Sequence, residues 1–222
     1  MPESAELPEH PLGSILDDAA DGRFPPADGA VEVLPPDQAV VRAVVAFAAH
    51  AYVLADVSLD ELLARDADGY GGASKPDVLL WLAGPAGTIG SLDAVLVARG
   101  RGGGRLERRT DLDHHPRVQR AIHHRRDVEV YADESSLVTL GEGLAGRREM
   151  SVELFDTTAR GRGHGRHLIA AGLDQVQEGE WCWAHVAPGN ASSMRAFLAA
   201  GFVPVCSVVI IEPASPALRS AP

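Results

Sequence analysis

Glu149-Met150-Ser151-Val152-Glu153-Leu154-Phe155 and, shortly after it, Arg160-Gly161-Arg162-Gly163-His164-Gly165-Arg166 are the segments whose reading decides the fold. The first alternates between apolar and polar residues, which predicts a half-buried strand. Beyond the glycines, Leu168, Ile169, Leu173 and Val176 recur at the spacing of one helical face. A strand, a glycine-rich turn and a helix start together make an anion cradle. The first N–H groups of a helix have no internal partner, and the helix dipole adds partial positive charge there. Glycines let a phosphate approach the backbone without a Cβ in the way. Arg160, Arg162, Arg166, His164 and His167 surround the same turn. The expected ligand carries a phosphate, and a pyrophosphate fits best.

The usual nucleotide loops do not fit. A dinucleotide fingerprint needs GxGxxG and an acidic residue about 20 positions on. Here the glycines are spaced GxGxG and position 166 is Arg. A P-loop ends in Gly-Lys-Ser/Thr, which is missing. Only 57 residues follow Gly165, too few for a doubly wound nucleotide domain. An Arg/Gly-rich RNA-binding tail would not stand between an apolar strand and an amphipathic helix.

With these residues the chain resembles the GNAT superfamily of N-acyltransferases. Arg160, Gly163 and Gly165 meet the Arg-x-x-Gly-x-Gly pattern of that family's acyl-CoA pyrophosphate loop. A second segment agrees. Trp181 to Val186 alternates as a strand, Pro188-Gly189-Asn190 turns, and Ser193, Met194, Phe197 and Leu198 form a helical face ending at Gly201-Phe202. Asn190 is a good N-cap and Gly201 stands where a left-handed C-cap belongs. The resemblance runs from about Glu149 to Ile211. It implies an α/β (α+β) GNAT fold, a mixed central sheet flanked by helices, with a divergent N-terminal extension. Val203 to Ile211 would be its closing hairpin.

The resemblance also implies roles. Acetyl-CoA would be the acyl donor. Arg160, Gly161, Arg162, Gly163, His164, Gly165 and Arg166 would hold its pyrophosphate. The amide-bearing arm would lie between the strand ending at Phe155 and the strand Trp181 to Val186. A backbone N–H of Leu154 or Phe155 would face the thioester oxygen. Asn190 and Ser193 would bond to the arm, although Asn190 also reads as a helix cap alone. The acceptor would be a small-molecule or peptide amine, and a homodimer is among the family's assemblies. Direct transfer needs a neutral amine, hence a base. Glu153 stands near the end of the strand carrying the thioester and is the first candidate, with Glu149 on the same face as the reserve. Many members have a Tyr at Phe197 to protonate the leaving thiolate, and Phe has no proton to give. Water, Tyr131 or Tyr52 would serve instead. Loss of that acid also fits a second reading, an acyl-CoA-binding sensor or interaction protein without catalysis.

Composition bounds the rest. The 222 residues are 45% hydrophobic and carry a net charge of −11. Residues 1–70 hold 14 Asp/Glu against 3 Arg, and the remainder holds 17 of each sign. This balance argues against a nucleic-acid partner. No run approaches the roughly 18 apolar residues of a membrane span, and no signal peptide is visible, so a cytoplasmic protein is expected. Cys182 and Cys206 read as buried free thiols. Residues 1–29 read as a mobile leader, 30–90 as a divergent part bearing on the acceptor, 91–212 as the acyl-CoA core and 213–222 as a flexible tail. Within them the pattern predicts a strand at Ala30–Leu34, a buried helix from Val40 to about Leu54, a short helix at Leu59–Leu63 and a strand at Leu92–Ala98. A helix from Pro116 to about Arg126 and strands at Val128–Ala132 and Leu137–Leu140 follow. His114-His115 and His123-His124 flank that helix. Adjacent histidines point different ways and no carboxylate stands at ligand spacing, so no metal site is expected. His123, Arg125 and Arg126 read as a basic edge.

Overall fold

In the computed structural model, residues 9–37, 41–155 and 163–214 are described. In chain order they form α1 (Pro11–Ala20), β1 (Val31–Leu34), β2 (Arg42–Phe47), β3 (His50–Leu54), α2 (Leu59–Leu63) and α3 (Pro76–Ala83). Then come β4 (Thr88–Arg99), β5 (Glu107–Arg108), α4 (Pro116–His124), β6 (Arg126–Ala132) and β7 (Ser136–Glu142). The last elements are β8 (Arg148–Leu154), α5 (His164–Gln175), β9 (Trp181–Val186), α6 (Ala191–Ala199) and β10 (Val203–Glu212). All the strands share one sheet in the order β1-β3-β2-β10-β4-β9-β8-β7-β6-β5. Neighbours run antiparallel except β1·β3 and β8·β9, which are parallel. This is the mixed central sheet flanked by helices that the resemblance implies.

Helices cover both faces. On one, α5 and α6 pack Leu168, Ile169, Leu173 and Phe197 onto Leu96, Val138, Met150 and Ala184. On the same face, α2 and α3 bury Leu62, Val78 and Leu82 against Val44, Val209 and Ile211. The opposite face carries α1, whose Leu12 and Leu16 meet Val45, Val97 and Trp183. It also carries α4, whose Val118 meets Val130 and Leu137. Side chains alternate along each strand, so Met150, Val152 and Leu154 enter the α5/α6 core while Glu149, Ser151 and Glu153 face the α1/α4 side.

Three sequence expectations are corrected. Residues 11–20, read as part of a mobile leader, are helix α1. Pro11 opens it, the His10 ring accepts a bond from Leu12 N–H at 3.1 Å, and Leu12, Leu16 and Ala19 are buried at helical spacing. Residues 1–8 of that leader lie outside the described residues, as do 215–222 of the expected tail.

The helix expected over Val40–Leu54 is the hairpin β2–β3, turning through Ala48 and Ala49. Val44 and Val45 point to opposite faces and are both fully buried. A strand covered on both sides reads as a continuous apolar run, which periodicity cannot separate from a buried helix.

The hairpin expected over Val203–Ile211 is the single strand β10, paired with β2 on one side and β4 on the other. That run contains no Gly, Asn or Asp to supply a hairpin turn. Among the described residues no helix is long and apolar enough to cross a membrane.

Candidate active site

The parallel neighbours β8 and β9 are in register at one pair, Glu149 with Trp183. Past that vertex no residue of β8 is paired with β9, which leaves a gap in the ladder between them. Along β8 the backbone groups alternate sides, as any antiparallel ladder requires. Phe155 N–H donates to Ser135 O at 2.8 Å, toward β7. The N–H groups of Leu154 and Val152 therefore point the other way, into the gap.

Helix α5 lies over β8, with Gly172 close against Met150. Gly163 is its N-cap residue, at φ 84°, a left-handed conformation that favours glycine. No side chain caps this end among the described residues. His164, Gly165 and Arg166 form the first turn, whose N–H groups lack helical acceptors. The close approach of α5 to α6 passes through Gly165, where an added Cβ would stand 3.5 Å from Ala196. At the start of α6, the Asn190 side chain accepts a bond from Ser193 N–H at 3.2 Å.

On the other face of the sheet, beside α4, a cleft of about 590 Å³ reaches the vertex residue Glu149. Glu149, Ser151 and His185 form its floor, Arg117, Arg120, His123 and His124 of α4 one wall, and Asp93, Ile210 and Glu212 another. Its floor is wired by Arg125, which follows α4. Arg125 donates to the Thr139 and Ser151 hydroxyls, each at 3.2 Å, and pairs with Glu149. His185 Nδ1 lies 3.9 Å from the other Glu149 oxygen. Gly143 makes room for that carboxylate, since a Cβ there would fall 2.2 Å from it. Burial by itself pushes the Glu149 carboxyl up, but the nearby His185 and Arg125 outweigh it and hold the group below the ordinary carboxylate range. At His124 burial, then His123 and Arg120, push the imidazole down.

The sequence-derived candidates fall into four sets. Leu154, Gly163, His164, Gly165, Arg166, Asn190 and Ser193 flank the gap. Arg160, Gly161 and Arg162 lie outside the described residues. The Phe155 N–H is taken by Ser135 and does not serve the gap; β8 ends at that edge, so its last N–H closes the ladder to β7. Glu149 and Glu153 share a face as expected but differ in place. Glu149 sits at the vertex, whereas Glu153 is four residues toward the open end, roughly 13 Å away, and pairs with Arg117 at 3.0 Å.

Phe197 is buried edge-on against Phe202, with ring centroids 4.9 Å apart. Of its possible substitutes, Tyr52 packs edge-on against Phe47 under α1, and Tyr131 packs against the α5/α6 core. Burial pushes the Cys182 and Cys206 thiols well up, so both stay protonated. Ser151 and His185 are site residues that sequence reading missed, and Arg125, read there as part of a basic edge, is instead buried against Glu149. Their only signal was polarity at single positions inside strands, or just after a helix, and nothing local says that they converge.

No protein-family model matches the sequence, and no curated protein matches it. Solved structures do. One is an acetyltransferase from the GNAT family of Colwellia psychrerythraea, 10% identical with a TM-score of 0.36 over 56% of this chain and 57% of that one. A protein from the GNAT family of Novosphingobium aromaticivorans is 16% identical, with a TM-score of 0.38 over 59% and 69%. A GCN5-related N-acetyltransferase from Kribbella flavida adds a third likeness, 12% identical with a TM-score of 0.35 over 60% and 62%. The chain thus spans less than two thirds of the Colwellia and Kribbella proteins. These are likenesses of fold and concern neither donor nor acceptor.

Proposed function

We propose that the chain is an N-acyltransferase that moves an acetyl group from acetyl-CoA to a primary amine by direct transfer. One observation carries the reading. Two parallel strands lose their pairing past Glu149, a helix N-terminus without a side-chain cap follows the first of them, and a cleft of about 590 Å³ on the other face reaches Glu149 and His185. Phosphates of the donor suit the first turn of α5, beside the glycine loop. A peptide-like arm entering from there can bond to the free N–H groups of β8. Its far end, the thioester, then comes nearest the vertex. A tetrahedral oxyanion formed there can accept from the Val152 N–H, the nearer of the two to the vertex, while the Leu154 N–H serves the arm. Asn190 caps α6 through its oxygen, which leaves its amide N–H groups for the arm.

The base follows from the same geometry. A neutral amine must form at the vertex, and His185 stands there with Glu149 behind it. We assign proton removal to His185 and orientation of its ring to Glu149. Glu153 lies nearer the open end and is engaged by Arg117. Thiolate departs to water, since the buried Phe197 offers no proton.

Release of CoA thiol from acetyl-CoA, measured over a panel of amines and peptides, tests the activity. Tight acetyl-CoA binding with no release for any acceptor would replace the enzyme with a binding protein. Within an active enzyme, His185→Gln should lower turnover by ~100-fold, with acetyl-CoA affinity little changed. An equal loss in Glu153→Gln, with His185→Gln near wild type, would return the role to Glu153.

A further inference from the structure

At the outer edge of the cleft, α4 ends in two adjacent histidines, and β10 ends in Glu212, 89 residues beyond the first of them. His123 Nε2 lies 3.2 Å from Glu212 Oε1, and His124 Nδ1 lies 3.3 Å from the same oxygen. One ligand atom from each of the three residues lies within 4.8 Å of the others. The objection that adjacent helical residues diverge does not hold here. His123 reaches with the far nitrogen of its ring and His124 with the near one, which offsets their angular separation.

These distances have a meaning beyond an ion pair. A charge-assisted N–H···O bond is typically about 2.7–2.9 Å, shorter than either contact. Zinc bonds to imidazole nitrogen and carboxylate oxygen run about 2.0–2.2 Å, and in a tetrahedron they place neighbouring ligand atoms about 3.3–3.6 Å apart. Both contacts lie close to such an edge. Two imidazoles with one carboxylate suit zinc or a similar transition ion and suit Mg²⁺ and Ca²⁺ poorly. All three residues line the cleft, so a fourth position would open toward it.

We infer that His123, His124 and Glu212 form a zinc site that clasps the C-terminal end of α4 to the end of β10 at the cleft edge. The ion joins α4, which packs on β6 and β7, to β10, which β4, β9 and β8 separate from β7 in the sheet, and it holds the α4 wall of the cleft in place. The inference does not depend on acyl transfer.

Chelator-treated protein titrated with Zn²⁺ against a chromophoric competitor should take up one equivalent per chain. His123→Ala, His124→Ala and Glu212→Ala should each weaken uptake by at least about 10-fold, while His114→Ala, on the exposed turn before α4, leaves it unchanged. All four positions are solvent-accessible, and circular dichroism checks that the variants fold. Co²⁺ at the same site should show the intense visible absorption of a four-coordinate ion. Three results would each overturn the site: no uptake, uptake unaffected by the ligand substitutions, or loss in the histidine variants with full retention in Glu212→Ala.

Discussion

Glu149 concentrates the chemistry of the molecule in one side chain. It is 7% exposed, it belongs to the last registered pair before the gap, and it meets Arg125 and His185. Its carboxyl is held below the ordinary carboxylate range, so its ionised form binds the native state better than the unfolded chain does. For a depressed carboxyl the stability is present in full above the unfolded value of about 4.5 and drains away as the pH falls below it. Glu149→Gln should therefore cost about 3 kcal/mol at neutral pH, and the deficit should shrink as urea denaturation is repeated toward pH 3. A deficit that stays constant with pH would show that packing, not charge, holds the vertex. Its place on the face shared with Glu153 follows from strand alternation. Its superiority as a vertex residue does not, because the partner Trp183 lies on a strand beyond α5.

At the scale of elements, α6 separates capping from ligand contact. Its N-cap oxygen is engaged by Ser193 N–H. Asn190→Ala should destabilise the protein by about 1 kcal/mol and weaken acetyl-CoA binding. Asn190→Asp keeps the capping oxygen and removes the amide donors. Wild-type stability with a several-fold weaker affinity in calorimetry is the expected outcome, and unchanged affinity would reduce Asn190 to a cap. The elements around α5 and α6 were legible because each carries its own punctuation: alternation in Glu149–Phe155 and Trp181–Val186, Asn190 before α6, Gly201 after it. The β2–β3 hairpin had none. Ala48-Ala49 is a poor turn signal, and Ala49 takes φ 58° without being Gly or Asn.

At the scale of the molecule, the N-terminal segment belongs to the same packing as the rest. Leu12 is fully buried among Val45, Val97 and Trp183, which come from three different strands. Leu12→Ala should cost about 3 kcal/mol. Because β1–β3 continue the sheet through β10, calorimetric unfolding should be one cooperative transition, shifted as a whole by this substitution. A separate early transition assignable to residues 11–54 would show that this part folds on its own.

The local signals in the sequence determined what local physics can determine. Glycines at a helix start, alternation along a strand and an amphipathic helix face specified the order of elements from α4 to α6, though not the two-residue strand β5 before them. They depend on neighbours a few positions apart. What only the tertiary structure decided depends on neighbours far apart in the chain: that β10 lies between β2 and β4, that β8 and β9 part after Glu149, and that Arg125, His185 and Glu149 meet. Burial on both faces erases periodicity, and a polar residue on a strand carries no mark of the partner it will find.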